Sequence, residues 1–166
     1  MRKISILSLL GIFLFTGIGF TQGEKVGFVD LSRAFDEYEK TKDFDKELEN
    51  KGDVKQGQRE KLVKEIRKMR DELELMNTRA KETKEADIEA KIKSLQGFDQ
   101  EAKTELTKER DDMVRDILKE MNVVIREYGE QHGFSIILND RVLLYGNEAL
   151  NITDDIIGIL NDSYRK

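Results

Sequence analysis

Catalysis needs side chains that attack, shuttle protons or hold ions, and this sequence offers few of them. It has no Cys and a single His, which removes thiolate nucleophiles, disulfides, Cys-bearing zinc sites and multi-histidine metal centres. Carboxylate-only cation sites stay open. His132 has no nucleophile or acid grouped with it in sequence. It reads as a residue at a helix C-terminus, where a partial positive charge is welcome. Gly52-Asp53-Val54-Lys55-Gln56-Gly57 has the two-glycine spacing of a phosphate-cradling loop. Gln58 and Arg59, however, stand where Lys and Ser or Thr are required, and no strand precedes the stretch. No nucleotide, cofactor or metal is therefore expected. The Asp and Glu residues alternate with Lys and Arg as they do on a solvated helix face. An enzyme is not expected.

The elements that hold these residues are mostly helical. The chain has 166 residues, of which 38% are charged and none is Pro; average usage would supply about 8 Pro, so long uninterrupted helices are favoured. Leu62, Ile66, Met69, Leu73 and Met76 step by four and three, a heptad seam. A second apolar series runs from Ile88, Ile92 and Leu95 to Met113, Ile117, Met121, Val124 and Tyr128. Between them Asn77 to Asp87 interrupts the rhythm. Two arms of about 46 residues, each roughly 70 Å long, therefore flank a polar tip. The pattern fits an antiparallel hairpin, and a single unbroken rod is the alternative. Gly52 and Gly57 each weaken a helix interior by up to about 1 kcal/mol, which makes 50–58 the expected bend, with these two glycines as hinge.

Both ends of the chain read as strand. Lys25 to Val29 forms one strand, and Asp30 or Ser32 can cap the helix after it. Gly133 is placed for a left-handed cap, Phe134 to Leu138 is a second strand, and Val142 to Tyr145 a third after a turn at Asn139-Asp140. Thr153 can cap a short helix from Asp154 to about Asn161 with Ile156, Ile157, Ile159 and Leu160 on its apolar face. The fold class is α+β: a long antiparallel helical hairpin, a coiled-coil arm, on a small base of sheet and helix. Such a base is marginal alone, and open strand edges invite pairing, so self-association is expected through Phe28, Val29, Ile136, Leu138, Leu144 and Tyr145.

At the N-terminus, Arg2 and Lys3 precede an apolar run from Ile4 to Phe20 and a small, polar flank ending at Gly23. This reads as a secretory signal peptide, with a retained anchor as the alternative. Cleavage near Gly23 takes Arg2 and Lys3 from the 29 basic residues, leaving 27 against 34 acidic ones. Nucleic acid is a poor partner for an exported acidic chain. The boundaries are 1–23 for the signal peptide, 24–48 and 113–166 for the base, and 49–112 for the arm, with its tip near 77–87.

One stretch departs from the acidic average. Residues 55–70 hold Lys55, Arg59, Lys61, Lys64, Arg67, Lys68 and Arg70 against Glu60 and Glu65. They form either a stripe for an anionic partner or a face offset by acids on the neighbouring arm.

The segments Lys25-Val26-Gly27-Phe28-Val29-Asp30, Gly133-Phe134-Ser135-Ile136-Ile137-Leu138-Asn139-Asp140, Val142-Leu143-Leu144-Tyr145 and Asn151-Ile152-Thr153-Asp154 flank the charged hairpin. With them the chain resembles the Skp/OmpH family of bacterial periplasmic chaperones. The resemblance implies a homotrimer whose strands form a small barrel-like body and whose three arms enclose a cavity. Unfolded outer-membrane proteins would be held there without ATP, with lipopolysaccharide or a membrane surface as a further contact. It also implies a periplasmic location and structural roles for Asp30, Asp140, Tyr145 and Thr153. Lys55, Arg59, Lys64, Arg67, Lys68, Leu75 and Phe98 are the candidate client contacts. The chain differs from the family in Asn151, where Asp is common, and in its acidic balance. The residues themselves also permit an envelope scaffold or spacer.

Overall fold

A computed structural model describes residues 23–166, so the expected signal peptide lies outside the described residues apart from Gly23. The elements run β1 (Lys25–Val29), α1 (Leu31–Glu37), α2 (Glu39–Glu74), α3 (Thr78–His132), β2 (Phe134–Asn139) and α4 (Thr153–Tyr164), with 3-10 turns at Asp140–Val142 and Glu148–Leu150. No helix among the described residues is long and apolar enough to cross a membrane.

The arm is an antiparallel pair of α2 and α3. Ile66 and Ile88 are buried in the seam, and Leu62, Met69, Leu73, Ile92 and Leu95 are half-buried, as the heptad spacing requires. Ion pairs lace the two helices in matched steps: Lys51–Glu109, Lys55–Glu105 at 2.6 Å, Arg59–Asp99 at 3.1 Å, Glu65–Lys91 at 3.0 Å and Glu72–Lys84 at 2.6 Å. Each step toward the tip on α2 meets a step toward the tip on α3, which excludes the single-rod alternative.

The tip is narrower than the polar run suggested. It occupies only Leu75 to Asn77, because the Asn77 side chain accepts the Ala80 amide at 3.1 Å and starts α3 immediately. Residues 78–87 are helical, and Lys84 among them still pairs with Glu72 of α2. The arms also differ in length, 36 residues for α2 and 55 for α3. Tyr38, with extended backbone (φ −68°, ψ 124°), separates α1 from α2, whereas α3 runs unbroken into the base. α2 passes through Gly52 and Gly57 without leaving the helix.

In the base, β1 and β2 pair in parallel, with Phe28 opposite Leu138 and Val29 opposite Asn139. Parallel strands need a long crossover connection, and here the whole helical hairpin supplies it. The other edge of β1 bridges to Asn151, with the Ile152 amide donating to the Phe28 carbonyl at 2.9 Å. The core gathers Val29, Ala34, Tyr38, Ile117, Met121, Ile152, Ile156, Ile157 and Leu160. Ile159, expected on the apolar face of α4, instead points outward at 37% exposure. Gly133 closes α3 in the left-handed conformation (φ 69°), as its position foretold.

Two local expectations fail. Val142 to Tyr145 is not a strand: the Asn139 side chain accepts the Arg141 amide at 3.2 Å and turns the chain into a 3-10 helix. A strand also needs an edge to pair with, and within this chain that segment reaches none. Thr153 is not a cap but the first residue of α4. Its hydroxyl accepts the Asp30 amide at 2.9 Å and donates to Asn151 Oδ1 at 2.6 Å, tying α4 to the end of β1. Asp30 itself caps α1, accepting the Arg33 amide at 2.8 Å.

Candidate interaction surfaces

Two surfaces carry the expected binding residues, and the structure treats them differently. The first lies on the base. Phe28 and Val29 are consumed by the chain's own packing at 8% and 2% exposure. Leu138 is half-buried. Ile136, Leu144 and Tyr145 remain exposed at 48%, 107% and 85%, with Val142 at 70% beside them. Among the described residues β2 pairs along one edge only, the edge facing β1. A buried Asp140 carboxylate oxygen in the same segment has no hydrogen-bond partner, and leaving such an atom unpaired costs about 1–3 kcal/mol or more. The base thus leaves exposed apolar side chains, a free strand edge and an orphaned carboxylate oxygen. Sequence reasoning named three of these apolar residues for assembly and placed Val142 in an expected strand; the Asp140 oxygen was visible only in three dimensions.

The second surface is the arm. Lys55 and Arg59, candidates for client contact, are engaged with Glu105 and Asp99 of α3. Lys68 lies at 4.0 Å from Glu72 on its own helix. Among the described residues Lys64 and Arg67 are exposed and form no ion pair, and the same holds for Lys61 and Arg70. The basic stretch divides along its length. Its proximal members are offset by acids on the neighbouring helix, and its distal members face solvent. Leu75, at the tip, is 90% exposed, and Phe98 is half-buried. Beside the distal cations, Val63, Ile66, Ile92 and Leu95 line a groove together with Arg67, Arg70, Asp71 and Glu74. A second groove, missed from sequence, opens where the arm meets the base, with Leu31, Phe35, Val114 and Leu118 as its apolar walls. The signal for it was weak, since Val114 and Leu118 fall beside rather than on the main apolar series of α3.

His132 ends α3, its ring stacked on Tyr128 at 4.0 Å with Nδ1 on the Tyr128 carbonyl at 2.9 Å. The Tyr128 hydroxyl donates to Asp155 at 2.6 Å, and that bond first, then burial, pushes the phenol up to about 12. These contacts fasten α3 to α4. Among the described residues no group of three or more His, Cys, Asp or Glu could hold a metal ion.

The profile of one family, outer membrane protein (OmpH-like), matches residues 25–160. The chain belongs to the OmpH-like family. The match spans both ends of the base and the full arm. No curated protein matches the sequence. Among solved structures, this OmpH-like chain is similar to a candidate outer membrane chaperone (OmpH-like) from Caulobacter crescentus CB15. The two share 18% identity and a TM-score of 0.79, over 90% of this chain and 91% of that one. At that identity the likeness speaks for the fold: a long helical hairpin on a small mixed base.

Proposed function

We propose that this OmpH-like protein is an ATP-independent holding chaperone of the periplasm. In this reading it binds unfolded outer-membrane β-barrel proteins in a cavity between the arms of a trimer. The observation that carries the reading is the base face of Ile136, Val142, Leu144 and Tyr145, left exposed although the chain's own core is closed. Apolar side chains of this size in water mark an interaction surface. Val142 to Tyr145, strand-like in sequence yet unpaired, would pair against the free edge of β2 in the next copy. Repetition of that contact closes a ring and sets three arms side by side.

An unfolded β-barrel exposes alternating apolar residues and unpaired strand edges, which aggregate in water. Between the arms, many weak contacts accumulate through multivalency, and weak contacts release without fuel. Leu75, Phe98 and the grooves supply apolar contact; Lys64, Arg67 and Lys68 supply charge for acidic loops or for anionic headgroups at a membrane surface. The domain limits follow: 24–48 and 113–166 assemble, 49–112 grips, and 1–23 directs export.

The test mixes the chain lacking residues 1–23 with a urea-denatured β-barrel protein. Light scattering is followed, and the mass of any soluble complex is measured. One client per oligomer with suppressed scattering is the expected result. An oligomer that leaves the client to precipitate would return the protein to the spacer class.

A further inference from the structure

We infer that the last turn of α4 is a latch that fixes the pitch of the arm on the base. The arm leaves the base along two helices of unequal character. α3 is continuous, whereas α2 begins at the Tyr38 break, where the chain has left helical geometry and no side chain of the break itself caps the new helix. The missing cap comes from 122 residues away: the Glu39 amide donates to Asn161 Oδ1 at 2.8 Å. The same side chain turns its Nδ2 to the Glu37 carbonyl at 3.4 Å, so one amide spans both sides of the break.

Around it, Tyr164 packs edge-on against Tyr38 with centroids 5.9 Å apart and donates to Asp43 at 3.3 Å. Arg165 grips Glu39 through two nitrogens, Nε at 2.8 Å. Asn161, Tyr164 and Arg165 lie within the final six residues of the sequence. Their side-chain bonds outside α4 reach Glu37 and Glu39 at the break and Asp43 one turn on. Their loss would spare the core side chains of α4, which end at Leu160.

With the latch closed, α4 adds an anchor at the root of α2 and restrains the tilt of the arm about α3. With it open, α3 and the bonds of Tyr38 and Lys40 to Glu120 remain, and added motion concentrates at the few residues free to change backbone angles, here Glu37 to Glu39. The latch is a property of the protein without any client, so its test is independent of the holding activity.

The chain has no Cys, so spin labels can be placed at will. Glu85→Cys near the tip and Ala149→Cys on the base report arm pitch by pulsed dipolar spectroscopy, with labelled chains diluted into unlabelled ones. Asn161→Ala with Arg165→Ala, and separately deletion of 161–166, are expected to broaden and shift the distance distribution while the helical signal and oligomer mass persist. Hydrogen exchange supplies a second readout: the Glu39 amide loses protection in Asn161→Ala while β1 and α1 keep theirs. An unchanged distance distribution in either variant that folds, or an equally protected Glu39 amide, overturns the latch. Should the deletion fail to fold, the point variants decide.

Discussion

The Tyr38 hydroxyl donates to Glu120 Oε1 at 2.8 Å, joining the break at the root of α2 to the base-proximal end of α3. Lys40 takes the other carboxylate oxygen at 2.6 Å. The ring of Tyr38 is fully buried, so Tyr38→Phe keeps the packing and removes only the bond. Hydrogen bonds to charged groups contribute about 1.5–3 kcal/mol; with Glu120 about a third exposed, a loss of about 1–2 kcal/mol is expected. Urea unfolding at fixed protein concentration measures it.

The same carboxylate gives the fold an acid limit. Burial pushes the Glu120 carboxyl up, but the bonds from Lys40 and Tyr38 outweigh it and hold it below the ordinary range. Its folded value lies below the unfolded one, so its contribution is complete above the unfolded value of about 4.3 and is lost as pH falls through the folded value. Glu39, held low by Arg165, and Glu72, held low by Lys84, act in the same direction. Stability is expected to be flat near neutrality and to fall below about pH 4, with a shallower fall in Glu120→Gln. A pH series of thermal midpoints on both proteins checks this.

Core and assembly face should respond oppositely to substitution. Leu160 is fully buried, and Leu160→Ala is expected to cost about 2–5 kcal/mol. Leu144 meets solvent on all sides, so Leu144→Asp with Tyr145→Ser should leave the circular-dichroism spectrum intact. The mass in solution should drop to that of one chain. A variant that stays assembled would place the interface elsewhere.

The arm cations divide by their partners. Lys55→Ala and Arg59→Ala break exposed pairs with Glu105 and Asp99, each expected to cost under about 1 kcal/mol of stability and little client affinity. Lys64→Glu with Arg67→Glu alters side chains that face solvent and is expected to weaken client binding more. Titration with a fluorescent unfolded β-barrel ranks the two pairs.

Nothing lies within 4 Å of a Cβ added at Gly52 or Gly57. Alanine at each should stabilise α2 by up to about 1 kcal/mol. If the two glycines are a hinge, the double variant also narrows the range of client sizes held. Thermal unfolding and a series of β-barrels of rising length test the two effects separately.

The arm and the ends of the base were legible because period and punctuation carry them. The step of Leu62, Ile66, Met69 and Leu73 could bury only against a second helix, and Gly133 could stop α3 only as a left-handed cap. The length of the tip was not legible, since polar residues from Thr78 to Asp87 look alike on a solvated helix and in a loop. Val142 to Tyr145 read as strand because its residue types favour one, but within this chain the segment reaches no strand to pair with. Asn161 looked like a helix end; its role at Glu37 and Glu39 arises from a fold that brings together residues more than a hundred positions apart. The orphaned oxygen of Asp140 is likewise a matter of spatial neighbours.

β1 finds its partner strand only after the long detour of the arm, since Lys25 lies opposite Phe134. Contacts so distant in sequence form late. As the chain emerges from its N-terminus the hairpin can zip while the first strand waits, and the platform cannot close until β2 and α4 have followed. For that interval the backbone of β1 has no partner strand.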